Sequence, residues 1–463
     1  MHYITDLHLH SKYSRAVSPQ MTLSVMAETA RQKGLDILSA ADFTHPVWFK
    51  EISNELEEAE EGLYTLIMEK KVRFLLSTEI ASIYKQGDKV RRVHNLIFVP
   101  SLEIAEKTNK ELVRRGANLN ADGRPIVGLS CENLLELVLS IDERSYIIPA
   151  HVWTPHFGVY GSASGFDSLE EAFGKLAPFI YGIETGLSSD PDMNWQMPEL
   201  MHRSILSFSD AHSAPKMSRE ATVMELESPS YENIRRAIMR PSVMASEHKE
   251  RGNPKRVESA SSSELPYNDV EKNRIVYTLE FYPEEGKYHF SGHRDHKVVL
   301  GPEEIRENGN ICPVCHRRLT EGVLFRVQQL ADEKLLHRTK TNRNDAGVKW
   351  YTDSLKMQPP FVKLVPLLEI AAESLGSTVN SQKSKNLYAK LCSELKSELH
   401  VLLQASIADI EKVGGGKLAQ AVTKVRAGNI AIDPGYDGIF GKVQIWHEGE
   451  EKAEDVPQMK LDL

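Results

Sequence analysis

The chain has 463 residues, a formal net charge of −9 at pH 7, an apolar fraction of 41% and four cysteines. This length exceeds what one hydrophobic core supports, so we expect two or three domains. An apolar run of about 18 residues is absent and the start MHYITDLHLH lacks a signal-peptide pattern, which predicts a soluble, cytoplasmic protein without a membrane partner. The acidic net charge excludes an overall basic coat but leaves room for a local basic patch.

The first 245 residues alternate short apolar runs with amphipathic helical stretches. Buried strands are predicted at YITDLHL, GLDILSAADF, VRFLLSTEI, VHNLIFV, SYIIPAH, IYGIET and SILSFSDAH. Strands that alternate with helices usually pair in parallel through right-handed crossovers. The pattern therefore predicts an α/β barrel or a barrel-like fold.

Histidines and carboxylates stand at or just past the C-terminal ends of these strands, where α/β barrels build active sites. The set comprises His8, His10, Asp42, His45, Glu79, His94, His151, Asp210 and His212. One such histidine alone would more often be structural, but imidazoles and carboxylates together are typical zinc, manganese or iron ligands, and a carboxylate can bridge two ions. Two ions about 3.5–4 Å apart can activate water and orient a phosphodiester. The pattern predicts a multinuclear site that hydrolyses a phosphoester.

The order and spacing of these residues resemble the PHP (polymerase and histidinol phosphatase) domain. The resemblance implies a distorted (β/α)7 barrel in which a first, catalytic site is formed by His8, His10, Glu79 and Asp210. It also implies that Glu79 bridges to a second ion held by His94 and His151.

The third metal site of that family has no complete counterpart in this sequence. The stretch AADFTHP places Phe43 directly after Asp42, with His45 two residues later. His45 is either a ligand or a capping residue before a proline. Asp42 is either a ligand or an orienting partner of a metal-bound histidine. With His212, these residues support a further ion or orient the ligands of the first two.

A second metal site is predicted after a polar, Ser-rich linker at residues 246–272. An H-x-x-H pair and a C-x-x-C pair, separated by a loop, supply His293, His296, Cys312 and Cys315. This spacing is typical of a closed structural zinc site, although His289 is an alternative ligand. The C-x-x-C pair could instead be redox-active, but Cys312 does not open a helix in a βαβ context.

Further motifs extend the resemblance to nearly the whole chain. The barrel start DLHLHSKYSRA, the segment NGNICPVCHRRL and the tail stretches KMQPPFVKLVPLLEIA and GNIAIDPGYDGIFGKV resemble the endonuclease Q family. The chain departs from that family where cysteine is expected near His293 and His296. The implied domains are 1–245 (metal-dependent phosphoesterase), 273–325 (zinc-binding module) and 326–463 (mainly helical, DNA-binding).

The resemblance implies a DNA repair endonuclease that nicks 5′ to hypoxanthine, uracil or xanthine and at abasic sites. Its partner would be damaged DNA, and its metals would be a structural and a catalytic Zn²⁺, with Mn²⁺ or Mg²⁺ as alternatives in the barrel. A sliding clamp is a further candidate partner through the short segment QMKLDL, and we expect a monomer.

A locally basic segment supports the DNA partner. From residue 317 to 363, ten basic residues face five acidic ones, among aromatic residues that could stack on a base. Candidate DNA contacts are Arg317, Arg318, Arg338, Lys340, Arg343, Lys349 and Trp350. Without the resemblance, the same segment reads as a solvated helix face and a loop.

Two rival functions remain at this point. A small-molecule phosphatase or phosphoesterase could use the same barrel, and would turn over a phosphomonoester with the barrel alone. A non-catalytic binding module with a decayed ligand set is the second rival, and the near-complete set counts against it. A repair nuclease, in contrast, should act only on DNA that carries a lesion.

Overall fold

The computed structural model describes residues 1–239 and 273–447. Their strands are β1 (His2–Asp6), β2 (Ile37–Ser39), β3 (Leu56–Glu60), β4 (Leu63–Leu66), β5 (Glu69–Leu75), β6 (Ser77–Gln86), β7 (Lys89–Phe98), β8 (Ile126–Val127), β9 (Tyr146–Pro149), β10 (Gly182–Glu184), β11 (Ser204–Leu206), β12 (Ala221–Glu225), β13 (Arg274–Glu280), β14 (Ser291–His293), β15 (Val298–Leu300), β16 (Thr339–Arg343), β17 (Lys349–Asp353), β18 (Phe361–Lys363), β19 (Ala431–Asp433) and β20 (Lys442–Gln444).

The α-helices are α1 (Leu23–Lys33), α2 (Pro46–Glu55), α3 (Leu102–Arg114), α4 (Cys131–Ile141), α5 (Leu169–Phe173), α6 (Pro191–Trp195), α7 (Tyr231–Met239), α8 (Pro302–Asn308), α9 (Val323–Leu330), α10 (Leu367–Ser374), α11 (Gln382–Glu394), α12 (Glu398–Leu403), α13 (Ile407–Gly414) and α14 (Gly416–Ala427). Within the described ranges, none of the helices combines the length and apolar character that crossing a bilayer requires.

The largest sheet has ten strands in the order β16-β17-β18-β13-β12-β1-β2-β5-β4-β3. Its centre follows the predicted pattern, because β1, β2 and β5 pair in parallel around helices α1 and α2. A second sheet, β8-β6-β7-β9, contains the long antiparallel hairpin of β6 and β7, and β10 pairs in parallel with β11. The prediction of parallel pairing throughout is therefore wrong for β6, β7 and β9, which are antiparallel.

The strands of these sheets surround one apolar core without forming a closed ring. That core contains Leu7 just after β1, Ile37, Leu75, Leu96, Ile148, Leu206 and Met224 from the strands, and Tyr231 from α7, all buried. The ladder breaks at Leu76, where the chain leaves the ten-stranded sheet and starts the hairpin. Among the described residues the three ladders are joined by no continuous strand pairing, although an isolated bridge links Leu9 to Ala211, so the fold is mixed α/β and the predicted (β/α)7 barrel is not confirmed.

The predicted domain boundaries do not follow the sheets. Strand β13 pairs with β12 and β18, and β16 to β18 extend the same sheet that contains β1. Residues 1–239 and the segment that starts at residue 273 therefore share one sheet. The C-terminal region is helical from α10 to α14, but β16 to β18 precede it and the β19–β20 pair follows it. The predicted linker 246–272 and the segment QMKLDL lie outside the described residues.

Candidate metal centre

The first ligand group forms where the extended chain after β1 meets the turn after β11. A single parallel bridge joins Leu9 to Ala211, so the imidazoles on either side of Leu9 are brought to Asp210. His10 Nε2 lies 3.1 Å from Asp210 Oδ1, and His8 Nε2 lies 3.6 Å from the same oxygen. One possible ligand atom from each of His8, His10 and Asp210 lies within 4.8 Å of the others. The i, i+2 spacing thus brings two histidines to one point, as predicted.

The second ligand group is built on the β6–β7 hairpin and the end of β9. Glu79 Oε1 lies 2.6 Å from His94 Nδ1 and 3.0 Å from His151 Nε2. The other oxygen, Oε2, points toward the first group, at 3.4 Å from His10 Nε2 and 3.8 Å from His8 Nε2. Glu79 is buried and lies between the two groups, which is the arrangement that a bridging carboxylate requires.

Asp42 contacts Nδ1 of His10, the ring nitrogen opposite the one that faces Asp210. Its Oδ1 lies 3.1 Å from His10 Nδ1, while Oδ2 accepts hydrogen bonds from the Ser11 N–H at 2.6 Å and from Ser14 Oγ at 2.8 Å. Because these contacts occupy both carboxylate oxygens, Asp42 fits the orienting role rather than the ligand role.

His45 and His212 contribute less directly. His45 is buried at the N-cap of α2 and stacks on Tyr13 with ring centroids 4.5 Å apart, and neither ligand group includes it. The His212 ring packs edge-on against His10 at 4.8 Å, and its Nδ1 lies 2.9 Å from the Asp210 carbonyl oxygen. Its side chain is 34% exposed, so His212 lies at the open rim of the cluster.

Two residues that contact the ligand groups were not predicted from the sequence. Glu184 ends β10, and its carboxylate lies 2.8 Å from His8 Nδ1 and accepts the His151 N–H at 2.8 Å. Arg124 lies in the loop before β8, with Nη1 at 3.2 Å from Glu79 Oε2. Glu184 carries the same signal as Asp42 and Asp210, a carboxylate at a strand end. Arg124 carries no such signal, because its loop lies far in sequence from every ligand.

The backbone is strained where the ligands leave their strands. The φ angles of Asp42, His151 and Asp210 are +35°, +32° and +46°, a region that residues other than glycine rarely adopt. Asp6 helps to hold the Asp210 turn, because its carboxylate accepts the N–H groups of Ser209 and Ser218 at 3.0 Å. The fold therefore maintains a strained backbone at three residues of the site.

The buried carboxylates of the cluster favour positive charge among them. Burial lowers the pKa of His94 to about 4, so its imidazole is neutral at neutral pH. Burial opposes the charge of His8, but the carboxylates of Glu184 and Asp210 outweigh it and raise the pKa of His8 well above its usual range. His8 Nε2 is buried and has no hydrogen-bond partner among the described residues. An unpartnered imidazole nitrogen beside bridging carboxylates fits zinc or manganese.

The four residues predicted for the second metal site also come together. Ligand atoms of His293, His296 and Cys315 lie within 4.8 Å of one another, and Cys312 Sγ lies 3.4 Å from His296 Nδ1. The pKa of the Cys312 thiol is lowered to about 7. Burial alone would raise this pKa, but hydrogen bonds from nearby N–H groups and from His296 lower it by more. The alternative ligand His289 stacks on Phe290 and is outside this cluster.

The predicted DNA contacts differ in exposure. Arg317 and Arg318 are exposed beside the second cluster, and the edge strand β16 exposes Lys340 and Arg343. On β17, Lys349 Nζ lies 4.9 Å from the Tyr351 ring, and Trp350 packs edge-on against Tyr277.

Arg338 differs from these residues. Its guanidinium is 3% exposed, pairs with Asp353 through two hydrogen bonds and donates to the Trp195 carbonyl at 2.7 Å. Arg338 is therefore committed to the interior, and the prediction that it contacts DNA is corrected.

The fold and the cluster define a mixed α/β protein with two carboxylate-bridged ligand groups and a helical C-terminal region. Among solved structures, the lesion-specific endonuclease PfuEndoQ from Pyrococcus furiosus is 28% identical, with a TM-score of 0.75 over 97% of this chain and 96% of that one. An endonuclease Q complex with a 27-mer duplex carrying an abasic lesion at the active site is also 28% identical, with a TM-score of 0.76 over 99% and 100%. The resemblance to endonuclease Q predicted from the sequence is confirmed.

Residues 366–429, which contain helices α10 to α14, match the family described as the MJ0043 C-terminal domain. The uncharacterized protein MJ0043 of Methanocaldococcus jannaschii is 26% identical over 313 residues, 65% of this chain and 33% of that protein. The chain thus matches about a third of the length of that relative.

Proposed function

We propose that this protein is a metal-dependent DNA repair endonuclease that hydrolyses the phosphodiester 5′ to deaminated bases and at abasic sites. The observation that carries the proposal is Glu79, whose two oxygens face two separate histidine-containing ligand groups. The 28% identity to endonuclease Q over the whole chain, including a complex with lesion-bearing duplex DNA, supports the choice of substrate.

The donor set suits two divalent cations. One would be held by His8, His10, Glu79 and Asp210, and the other by Glu79, His94 and His151. Such cations, when bound, activate water and offset the negative charge of the phosphate. Imidazole and carboxylate ligands favour Zn²⁺ or Mn²⁺, and Mg²⁺ is compatible with the carboxylates.

The protein's own residues fix this geometry before substrate arrives. Glu184 orients the His8 ring, and Asp42 orients the His10 ring, so that both Nε2 atoms face the cluster. Hydrogen-bonded partners behind ligand histidines raise ligand basicity and hold one ring orientation. His212 lies at the exposed rim and supports a further ion or a substrate contact.

The second cluster is proposed as a structural zinc site with His293, His296, Cys312 and Cys315 as ligands. Four protein ligands leave no open position, so such a site would stabilise its module and would not catalyse the reaction. The lowered pKa of Cys312 favours the thiolate that zinc requires.

DNA would be bound by exposed basic side chains on the second module and on the edge strand. We place Arg317, Arg318, Lys340, Arg343 and Lys349 in this role, with Trp350 beside them. Phosphate contacts of this kind supply affinity without sequence preference. A sliding-clamp contact and a monomeric state stay predictions from the sequence.

The test is a nicking assay with purified protein and Mn²⁺, Mg²⁺ or Zn²⁺. End-labelled duplexes carrying hypoxanthine, uracil, xanthine, an abasic site or only normal bases are the substrates. We expect a nick 5′ to the lesions and intact undamaged DNA. The exposed control Asp88→Asn should cut like the wild type, whereas Asp210→Asn should fold but not cut. Cleavage of no lesion, together with turnover of p-nitrophenyl phosphate, would instead favour the small-molecule phosphatase.

A further inference from the structure

A guanidinium reaches into the ligand cluster and has no assigned part in it. Arg124 Nη1 lies 3.2 Å from Glu79 Oε2, the oxygen that also faces His10 at 3.4 Å. The Arg124 side chain is 24% exposed, so it contacts the cluster and also remains partly accessible to solvent. An arginine is not a ligand for divalent cations, so its position beside a candidate bridging carboxylate requires another explanation.

The turn that carries Arg124 is fixed to the metal centre. Asp122 Oδ1 accepts the Arg124 N–H at 3.1 Å, and the Gly123 N–H donates to the Tyr13 carbonyl at 3.1 Å. A Cβ on Gly123 would lie 2.5 Å from Asp42 Oδ2, so the turn packs directly on the carboxylate that orients His10. The guanidinium therefore starts from a preorganised backbone rather than from a free loop.

We propose that Arg124 binds the non-bridging oxygens of the scissile phosphate. The inference rests on the proposed function. If Glu79 bridged two cations, they would neutralise the charge on its Oε2 in place of Arg124. The guanidinium would then be available for another anion, while the Arg124 backbone would stay fixed. A planar guanidinium presents paired N–H donors that match two phosphate oxygens. Negative charge on these oxygens is what a preorganised cation stabilises during phosphoester hydrolysis.

Arg219, the other arginine close to Asp210, has a different role. Its Nε donates to the Ser209 carbonyl at 2.9 Å and its Nη2 to the Asp210 carbonyl at 3.5 Å. These contacts hold the backbone of the ligand turn. Arg124, in contrast, contacts the cluster only through a carboxylate that cations would engage.

The experiment compares Arg124→Ala and Arg124→Lys with Arg15→Ala, a control that removes an exposed arginine from the neighbouring loop. Mn²⁺ affinity is measured by calorimetry without DNA, and kcat is measured on a duplex with one abasic site. We expect Arg124→Ala to bind Mn²⁺ at least as tightly as the wild type, because a positive charge beside Glu79 is lost. Its kcat should fall by about 100-fold, the loss seen when one charge-stabilising donor is removed.

Two further readouts complete the test. Added guanidinium chloride should restore part of the activity of Arg124→Ala, and Arg124→Lys should be intermediate because lysine offers a point charge rather than a fork. Arg15→Ala should keep kcat within about threefold of the wild type, well below the effect of losing a donor.

Three outcomes would overturn the inference. An unchanged kcat in Arg124→Ala means that Arg124 does not stabilise the scissile phosphate during the reaction. A parallel loss of Mn²⁺ affinity means that Arg124 acts only by positioning Glu79. In both cases a wild type that still cuts lesion-bearing DNA leaves the proposed function intact, whereas a wild type that binds Mn²⁺ but cuts no lesion overturns both.

Discussion

Glu184 contacts two candidate ligands without belonging to either ligand group. One oxygen lies 2.8 Å from His8 Nδ1, and the other accepts the backbone N–H of His151. Glu184 is completely buried, and Gly186 keeps the space beside His151 open, since a Cβ there would lie 2.3 Å from the His151 Cβ. The carboxylate therefore fixes the ring orientation of His8 and the backbone position of His151.

Replacing Glu184 by Gln should weaken cation binding while preserving the fold. The amide keeps the shape of the side chain but loses the charge that makes His8 a strong ligand, and such orienting partners typically contribute about 10- to 100-fold in metal affinity. Mn²⁺ calorimetry and circular dichroism measure the two effects. The surface control Glu57→Gln should bind Mn²⁺ normally, and equal affinity in both variants would contradict this role for Glu184.

Some candidate ligands follow a recognisable strand, as His8 and Asp210 do, and the HLH spacing fixes the side on which His8 and His10 lie. Glu79 and His94 instead lie inside β6 and β7, so the expected position at a strand end is wrong for these two.

The partners of the ligands could not be predicted in this way. Glu184 carries the strand-end signal, but no local pattern reports its pairing with His8, 176 residues away. Arg124 carries no signal at all, and it is 45 residues away from Glu79. The burial of Arg338 was missed for the same reason, since its partner Asp353 is chosen by the three-dimensional fold.

Glu280 should make stability depend on pH. Burial of Glu280 at the end of β13 raises the pKa of this carboxyl from 4.5 to about 8, although hydrogen bonds from Ser207 and Thr278 lower it in part. Below pH 4.5 the carboxyl is protonated in both the folded and the unfolded chain. Between pH 4.5 and 8 the unfolded chain releases the proton and the folded chain keeps it, so the free energy of unfolding falls as pH rises.

Glu280→Gln should remove this dependence, because a neutral amide does not titrate. Urea unfolding at several pH values between the two pKa values measures it. We expect the variant to gain stability relative to the wild type as pH rises, while Glu57→Gln tracks the wild type. A difference between Glu280→Gln and the wild type that stays constant with pH would show that Glu280 is ionised in the folded protein.

At the scale of elements, the strands of the site were predicted more successfully than their pairing. Each predicted apolar run overlaps a strand, since short buried runs bounded by turn residues have few other solutions. The run VRFLLSTEI, predicted as one strand, covers the end of β5 and the start of β6. Their partners depend on the break at Leu76, which turns β6 and β7 into an antiparallel hairpin. A run of apolar residues does not indicate where a strand ends and a new sheet begins. An α/β barrel with parallel strands was therefore the simplest expectation.

A buried ion pair attaches the C-terminal helices to the N-terminal part that contains the candidate metal centre. Lys33, the last residue of α1, lies 2.7 Å from Glu398 of α12, and both side chains are almost fully buried. Glu398 also accepts the Leu367 N–H at 3.0 Å and the Tyr388 hydroxyl at 2.8 Å. A single carboxylate therefore joins α1 to three parts of the helical region.

Lys33→Met should destabilise the protein by about 3–5 kcal/mol, because it leaves a buried carboxylate without its cation. Adding Glu398→Gln to Lys33→Met should recover part of this loss, since the amide oxygen still accepts the Leu367 N–H without carrying a charge. Urea unfolding of the wild type, the single variant and the double variant measures both steps. A double variant less stable than Lys33→Met would mean that the negative charge of Glu398 is not the source of the penalty.

At the scale of the whole molecule, an acidic protein must confine the proposed DNA-binding charge to part of its surface. The net charge is −9, yet Arg317, Arg318, Lys340 and Arg343 are all exposed within a short stretch of the chain. The ten-stranded sheet connects this stretch to the metal centre, because β16 to β18 and β1 belong to one sheet. A rigid connection of this kind would hold a bound duplex in a fixed relation to the cluster.

The salt dependence of DNA binding should separate surface contacts from structural arginines. Each lost phosphate contact lowers the slope of log K against log salt by about 0.9, so Arg317→Ala combined with Arg318→Ala should lower it by about 1.8. Arg338→Ala should leave the slope unchanged and instead lower the free energy of unfolding by about 3 kcal/mol, because Asp353 would stay buried and unpaired. Fluorescence anisotropy with an abasic duplex, without divalent metal, measures the slope. Lys71→Ala, on the distant β5, should change neither quantity, and a double arginine variant with the wild-type slope would remove these residues from the DNA surface.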